Sequence, residues 1–354
     1  MMMKRSFVLM LALPFLVGSA CVGGEEPTTL TLPPLPTTTL VDIPGFDEDS
    51  GDEEDDGSPF TGVAYEPSME PAPCLVPETA GSYEGCFVRV TTWQAIHEMH
   101  LDVTLFYATV YQQTLAETID WSGGYVTVHP GETLQTECGP QDDWTLLYCH
   151  NDQKVYIGVS AAWDILSSEA GDYGLVLAIA HERGHAFQGN SAIGIVDLTN
   201  QRVEELYAAG TDADLRVLAD ILVATENQAD CMAGAAANFF ANNGFEEADD
   251  VIQAVQVAGL WGLLSEAEKQ QIGVATHGSV DERVGHWTRG YRDGLEACEN
   301  AFVKLVADGQ LPAEVNIDLR DSQTVRLNQL VPISDAEWEA AYTAYPFDPY
   351  AGRD

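Results

Sequence analysis

Three short runs of alternating, β-branched or aromatic residues stand out along the chain, each bounded by turn residues. They are FVRVTTW over Phe87–Trp93, GYVTVHP over Gly124–Pro130 and KVYIGVS over Lys154–Ser160. Alternation of period two marks a half-buried strand, so each run predicts a β-strand. Beyond them the chain is helical in character. Asp172–Gln188 contains no proline, keeps an apolar face through Leu175, Ile179 and His185-Ala186, and stops at Gly189-Asn190. Glu204–Asn242 predicts two helices, the second Ala-rich and closing at Asn242-Asn243-Gly244. Strands ahead of helices, with no internal repeat, predict an α+β, mainly helical unit over residues 61–300. Residues 301–354 form a C-terminal extension of weaker helical signal with a Pro-rich aromatic end, YPFDPY.

The amino terminus reads differently. Lys4 and Arg5 precede an apolar run from Phe7 to Val17, then the small residues Gly18, Ser19 and Ala20 just before Cys21. Residues 1–20 therefore read as a secretory signal, with an apolar run too short to span a bilayer. Small residues followed at once by cysteine resemble a bacterial lipoprotein processing site, which makes Cys21 the lipidated first residue of an exported, membrane-anchored protein; cleavage nearby with Cys21 left as a spare thiol is the alternative. Residues 21–60 are rich in Pro, Thr and acid, with neither Lys nor Arg. Such a stretch buries too little apolar surface to offset its ordering entropy and reads as a disordered tether.

Charge and cysteine content narrow the setting. Against 56 Asp and Glu the 354-residue chain has only 15 Lys and Arg, a formal charge of -41 that excludes nucleic acid and an anionic lipid surface as partners. With Cys21 set aside, Cys74, Cys86, Cys138, Cys149, Cys231 and Cys298 remain. An even number in an exported chain reads as disulfides of open connectivity. Two close sequence pairs favour Cys74 with Cys86 and Cys138 with Cys149, which leaves Cys231 for Cys298. No CxxC spacing supports a cysteine metal site.

Chemistry concentrates in AIAHERGHAFQ, Ala178–Gln188. Residues four apart on a helix share one face, so His181 and His185 can bind one ion, while Glu182 projects beside it and can take a proton from water. A catalytic zinc needs a third protein ligand and an open fourth position. Downstream, Glu226 and Asp230 repeat the same spacing beside the small residues Ala229, Ala233 and Gly234. Glu226 is the candidate third ligand and Asp230 the acceptor for the outer nitrogen of a zinc histidine; a solvated acidic pair is the plainer alternative.

A third element, Thr276-His277-Gly278 followed by Arg283, completes a series HExGHxxQ, ExxADC and THGxxxxR. In that order the motifs resemble a bacterial family of neutral zinc metallopeptidases, and the resemblance extends from about Tyr125, through Cys138-Gly139 and Tyr148-Cys149, to Trp287, Gly290, Gly294 and Cys298. Arg183 stands where the family is usually apolar, Ala186 where a second His is common, and His150 where Pro is frequent. The resemblance implies a zincin-like, gluzincin-type domain with zinc held by His181, His185 and Glu226. It also implies Glu182 as general base, His277 as oxyanion donor or else structural support of the site, and Arg283 either orienting the site or closing an internal salt bridge. The function expected is a Zn2+-dependent peptidase acting on a peptide or protein substrate outside the cytoplasm. A zinc-stabilised surface lipoprotein that binds a partner without turning it over is the alternative. His97 and His100 in AIHEMH are expected as one exposed and one packed ring, and His129, His150 and His286 as surface or packing residues.

Overall fold

The computed structural model describes residues 83–110, 113–166, 171–189, 195–242, 258, 262, 277–315 and 334–346. The signal segment, Cys21, the tether and Cys74 lie outside these residues, and so does the side chain of Cys86.

The first described element is a helix, α1 (Tyr83–Val110), where the alternation of Phe87–Trp93 predicts a strand. The reason is visible further along: Trp93, Ile96, Met99, Val103, Phe106, Tyr107 and Val110 recur at helical spacing and all are buried. Packing of that stripe overrides the strand preference of the β-branched residues ahead of it. A short helix α2 (Leu115–Ser122) comes after it, started by a capping box between Thr114 and Glu117 and ended by Gly123 in the left-handed conformation.

Five short strands come next: β1 (Tyr125–Val128), β2 (Thr133–Thr136), β3 (Gly139–Asp142), β4 (Leu146–Cys149) and β5 (Lys154–Gly158). The expectations at Gly124–Pro130 and Lys154–Ser160 correspond to β1 and β5. They pair in parallel, Tyr125 opposite Val155, and β4 adds antiparallel to the other side of β5, Tyr148 opposite Val155. The order β1-β5-β4 leaves β4 at an edge, while β2 and β3 form a separate hairpin. A disulfide joins Cys138 to Cys149 and ties that hairpin to the edge strand.

The rest is helical: α3 (Val159–Leu166), α4 (Gly171–Gly189), α5 (Ile195–Ala209), α6 (Asp212–Asn242) and α7 (Val280–Asp293). A 3-10 turn at Leu295–Phe302 leads into α8 (Val303–Ala307), and α9 (Asp335–Ala344) is the last described helix. The fold is thus α+β and mainly helical, as the sequence predicts. Helix α4 differs from the one-sided helix expected: nearly every residue from Tyr173 to Gly189 is buried. A helix enclosed on all sides has no polar face to show in its pattern.

Helices α6 and α7 approach until backbones touch. A Cβ at Gly290 would collide with the Cys231 carbonyl, and one at Gly234 with that of Trp287. The Cys231–Cys298 disulfide locks the same junction from the 3-10 turn. Beyond it, Phe302, Leu305, Leu311 and Val315 pack with Ile195, Leu206, Leu218 and Ile221 of α5 and α6. Helix α9 returns to α1: Ala341 joins the main core, the Tyr342 hydroxyl donates to Asp102 Oδ1 at 2.6 Å, and His97 Nε2 meets the Tyr345 carbonyl at 2.8 Å. Both His97 and His100 are buried, which corrects the expectation of one exposed ring. His97 is satisfied by Tyr125 and Tyr345, and His100 packs on Tyr125 and takes a guanidinium N–H of Arg183.

Candidate metal centre

The site is built where α4 crosses α6. His181 and His185 stand one turn apart on α4, and Gly184 between them faces Ala229, where an added Cβ would lie 3.1 Å from the Ala229 Cα. Two small residues therefore let the helices close until Glu226 of α6 reaches both rings. His181 Nε2 lies 3.1 Å from His185 Nε2 and 3.1 Å from Glu226 Oε2, and His185 Nε2 lies 3.4 Å from Glu226 Oε1. Among the described residues these three supply a convergent donor set, their ligand atoms all within 4.8 Å of one another.

Hydrogen bonds on the outer side of each ring decide which nitrogen faces inward. His181 Nδ1 is 2.8 Å from Asp230 Oδ1, and Asp230 in turn takes Arg283 Nε and Nη2 at 2.7 Å each. An ionised carboxylate only accepts, so Nδ1 carries the proton and Nε2 presents its lone pair. Arg283 Nη2 also lies 3.5 Å from that Nδ1, at the limit of a hydrogen bond, and the shorter carboxylate contact prevails. His185 Nδ1 is 2.9 Å from Gln188 Oε1, while Gln188 Nε2 donates to the Thr225 carbonyl at 2.9 Å. A backbone carbonyl fixes the amide orientation, and His185 is held in the same tautomer as His181.

Two imidazole Nε2 atoms and a carboxylate thus converge, with Arg283 Nη2 3.9 Å from Glu226 Oε2 at the edge of the set. The cluster favours positive charge at its centre: burial works to lower His181, yet Asp230 and Glu226 together raise it to about 9. Burial likewise opposes the shift of Glu226, but His185, His277 and His181 hold it well below the usual carboxylate range. Two nitrogens and one carboxylate suit zinc, and three protein ligands are the number that leaves a position open for water or substrate. The residues present therefore fit the ion.

Around this set lie the other candidates. Glu182 is buried, and its Oε2 accepts the Tyr148 backbone N–H at 2.7 Å, which places the outer edge of β4 against the site. His277 is partly buried just ahead of α7, where Gly278 at φ 82° turns the chain beside Asn227 and Ser279 caps the helix through Glu282. Arg283 sits one turn into α7, buried, and its bidentate bond to Asp230 is a closed internal salt bridge that also supports His181. His129 packs at a tilt against Trp93, ring centroids 4.3 Å apart, and half-buried His150 lies 3.6 Å from Asp197, both apart from the donor set. Arg183 points away from the site, fully buried against His100 and Thr104, and burial pushes it down to about 9.

Sequence reasoning passes over Gln188, Gln228 and Tyr148. Gln188 carried a signal, its place one turn beyond His185 in HExGHxxQ. Tyr148 acts through its backbone and carried none.

Residues 125–302, half of the chain, match the family described as "putative neutral zinc metallopeptidase". Proteins from two strains of Escherichia coli, K12 and O6:H1 CFT073, both called uncharacterized protein YpfJ, are 31% identical to this chain over 179 residues. That match covers 49% of this chain and 59% of each relative, so the chain spans about six tenths of the length of the curated relatives it matches. No solved structure matches it. The chain belongs to this family of zinc metallopeptidases.

Proposed function

We propose that this protein is a zinc-dependent peptidase that hydrolyses peptide bonds outside the cytoplasm, with His181, His185 and Glu226 as zinc ligands and Glu182 as general base. The observation that carries the reading is the convergence of two Nε2 lone pairs and a carboxylate beside a separate, buried carboxylate. A structural zinc site needs no such extra acid.

Held by His181, His185 and Glu226, zinc would supply a Lewis acid for the scissile carbonyl and acidify water toward neutral pH. Glu182 is oriented by the Tyr148 N–H on Oε2, so proton transfer falls to Oε1, which takes the proton of the attacking water and passes it to the leaving amine. His277, on the turn beside Glu226, donates to the oxygen that gains charge as the carbonyl is attacked. Asp230 keeps the His181 proton on Nδ1, and Arg283 holds Asp230.

Two disulfides, Cys138–Cys149 and Cys231–Cys298, support an oxidising compartment. Export by the segment over residues 1–20 and attachment through a lipid on Cys21 agree with it, and the peptide or protein substrate is then met at the outer face of the membrane. The deciding experiment incubates the zinc-loaded protein and its Glu182→Gln variant with a complex peptide mixture and reads new termini by mass spectrometry. Cleavage by the parent alone supports the peptidase; zinc binding with no cleavage by either returns the reading of a non-catalytic binding lipoprotein.

A further inference from the structure

We infer that Gln188 and Gln228 are positioning residues for zinc: they form a polar relay that sets the tautomer of His185 from a backbone carbonyl held by the Cys231–Cys298 disulfide. The inference rests on the zinc reading above and concerns residues that touch neither metal nor substrate.

The relay can be followed atom by atom. Gln228 Nε2 donates to the Cys298 carbonyl at 3.2 Å, Gln188 Nε2 donates to Gln228 Oε1 at 2.9 Å and to the Thr225 carbonyl at 2.9 Å, and Gln188 Oε1 faces His185 Nδ1 at 2.9 Å. Each amide could be turned over in isolation, but a main-chain carbonyl can only accept. The carbonyls of Cys298 and Thr225 therefore force both NH2 groups toward themselves, and the run of donors ends with Gln188 Oε1 as an acceptor at the ring. His185 must place its proton on Nδ1 and its lone pair on Nε2, the atom that faces His181 and Glu226. Gln188 and Gln228 are both at least 98% buried, so water does not offer the amides an alternative partner.

The far end of the relay is fixed by covalent structure. Cys298 is bonded to Cys231, three residues beyond Gln228 on α6, and a Cβ at Gly290 would strike the Cys231 carbonyl, so α7 closes the same junction. His181 is oriented by charge, through Asp230 and Arg283; His185 is oriented by a neutral chain of amides. The two histidines of one motif thus have unlike supports.

The test measures zinc dissociation constants by competition with a chromophoric chelator for the full chain, Gln188→Met, Gln228→Met and the double variant, with circular dichroism as a fold control. Gln188→Met should weaken zinc by about 10- to 100-fold, the range for loss of a ligand's outer hydrogen bond. Gln228→Met should weaken it less, and should add nothing in the Gln188→Met background, because its effect passes through Gln188. In the cobalt-substituted protein the parent should show a slowly exchanging ring N–H on each histidine, and Gln188→Met should lose the His185 signal alone. Unchanged affinity in Gln188→Met, full additivity in the double variant, or an intact His185 signal overturns the relay. A parent that binds no zinc overturns the reading on which it rests, and the relay with it. Should Gln188→Met not fold, the Gln228→Met cobalt spectrum decides: faster exchange at His185 with His181 unchanged upholds the relay, and equal change at both sinks it.

Discussion

Arg283 grips Asp230 with two parallel bonds of 2.7 Å, Nε to Oδ2 and Nη2 to Oδ1, both residues buried. Removing Arg283 leaves the buried Asp230 carboxylate with His181 alone against its charge, and loss of one partner of a buried pair costs about 3–5 kcal/mol. Arg283→Met should therefore lower stability by that order, seen as a shifted urea midpoint, and zinc affinity should fall as Asp230 loses its fixed orientation. Arg283→Lys should recover little, since an ammonium cannot make the fork. A lysine variant with the parent's midpoint and zinc affinity would show that geometry at Asp230 does not matter.

The disulfides separate by loop length. Cys231 and Cys298 stand 67 residues apart and Cys138 and Cys149 only 11. Chain-entropy arguments assign roughly 4 kcal/mol to the longer closure and roughly 3 kcal/mol to the shorter. Replacing each pair with Ala should reproduce that order in denaturant midpoints. An equal or reversed loss would mean that local packing at β4, not loop closure, sets the value.

Asp102 gives a pH dependence of known sign. Buried and bonded to the Tyr342 hydroxyl, its carboxyl is raised from 3.8 to about 8, by burial first and by Glu98 as well, against the lowering effect of the Tyr342 bond. Its folded pKa lies above its unfolded value, so the unfolded state loses its proton first as pH rises. Stability from this group is whole below about 3.8 and is lost progressively up to about 8. Asp102→Asn should flatten the fall in unfolding free energy between pH 5 and pH 8, about the unperturbed and shifted ranges. If the variant keeps the parent's slope, ionisation of Asp102 is not coupled to docking of α9 on α1.

Much of this site is legible in sequence because its parts are helical. Spacing of four residues places His181 with His185 and Glu226 with Asp230, and of the small residues Ala229, Ala233 and Gly234, Ala229 marks where the two helices cross, while Gly234 faces Trp287 of α7 instead. The β4 edge is not legible: it meets Glu182 through the Tyr148 backbone, and a main-chain donor leaves no residue type to read. The strand expected at Phe87–Trp93 fails for a related reason. Its local alternation is real, but the burial of Trp93, Ile96, Met99 and Val103 is decided by partners far along the chain. Helix α4 is found by its lack of breakers and its end at Gly189, although its enclosure on all sides erases the one-sided pattern that usually identifies a helix.

Catalysis and metal binding separate at two residues outside the donor set. Glu182→Gln preserves size and can still accept the Tyr148 N–H, but it cannot take a proton from water; zinc content should be unchanged while turnover falls by roughly two to four orders of magnitude. His277→Ala removes the donor proposed for the developing oxyanion, so kcat should fall about 10²- to 10³-fold with little change in KM. His277 also lies close enough to Glu226 to help hold its carboxyl below the usual range. That second role predicts a small change in zinc affinity in the histidine variant and none in Glu182→Gln. Zinc content, kcat and KM measured on the same preparations distinguish the cases. Undiminished cleavage by Glu182→Gln would remove it as the base, and loss of zinc or of fold in His277→Ala would move His277 from the reacting oxygen to the support of Glu226.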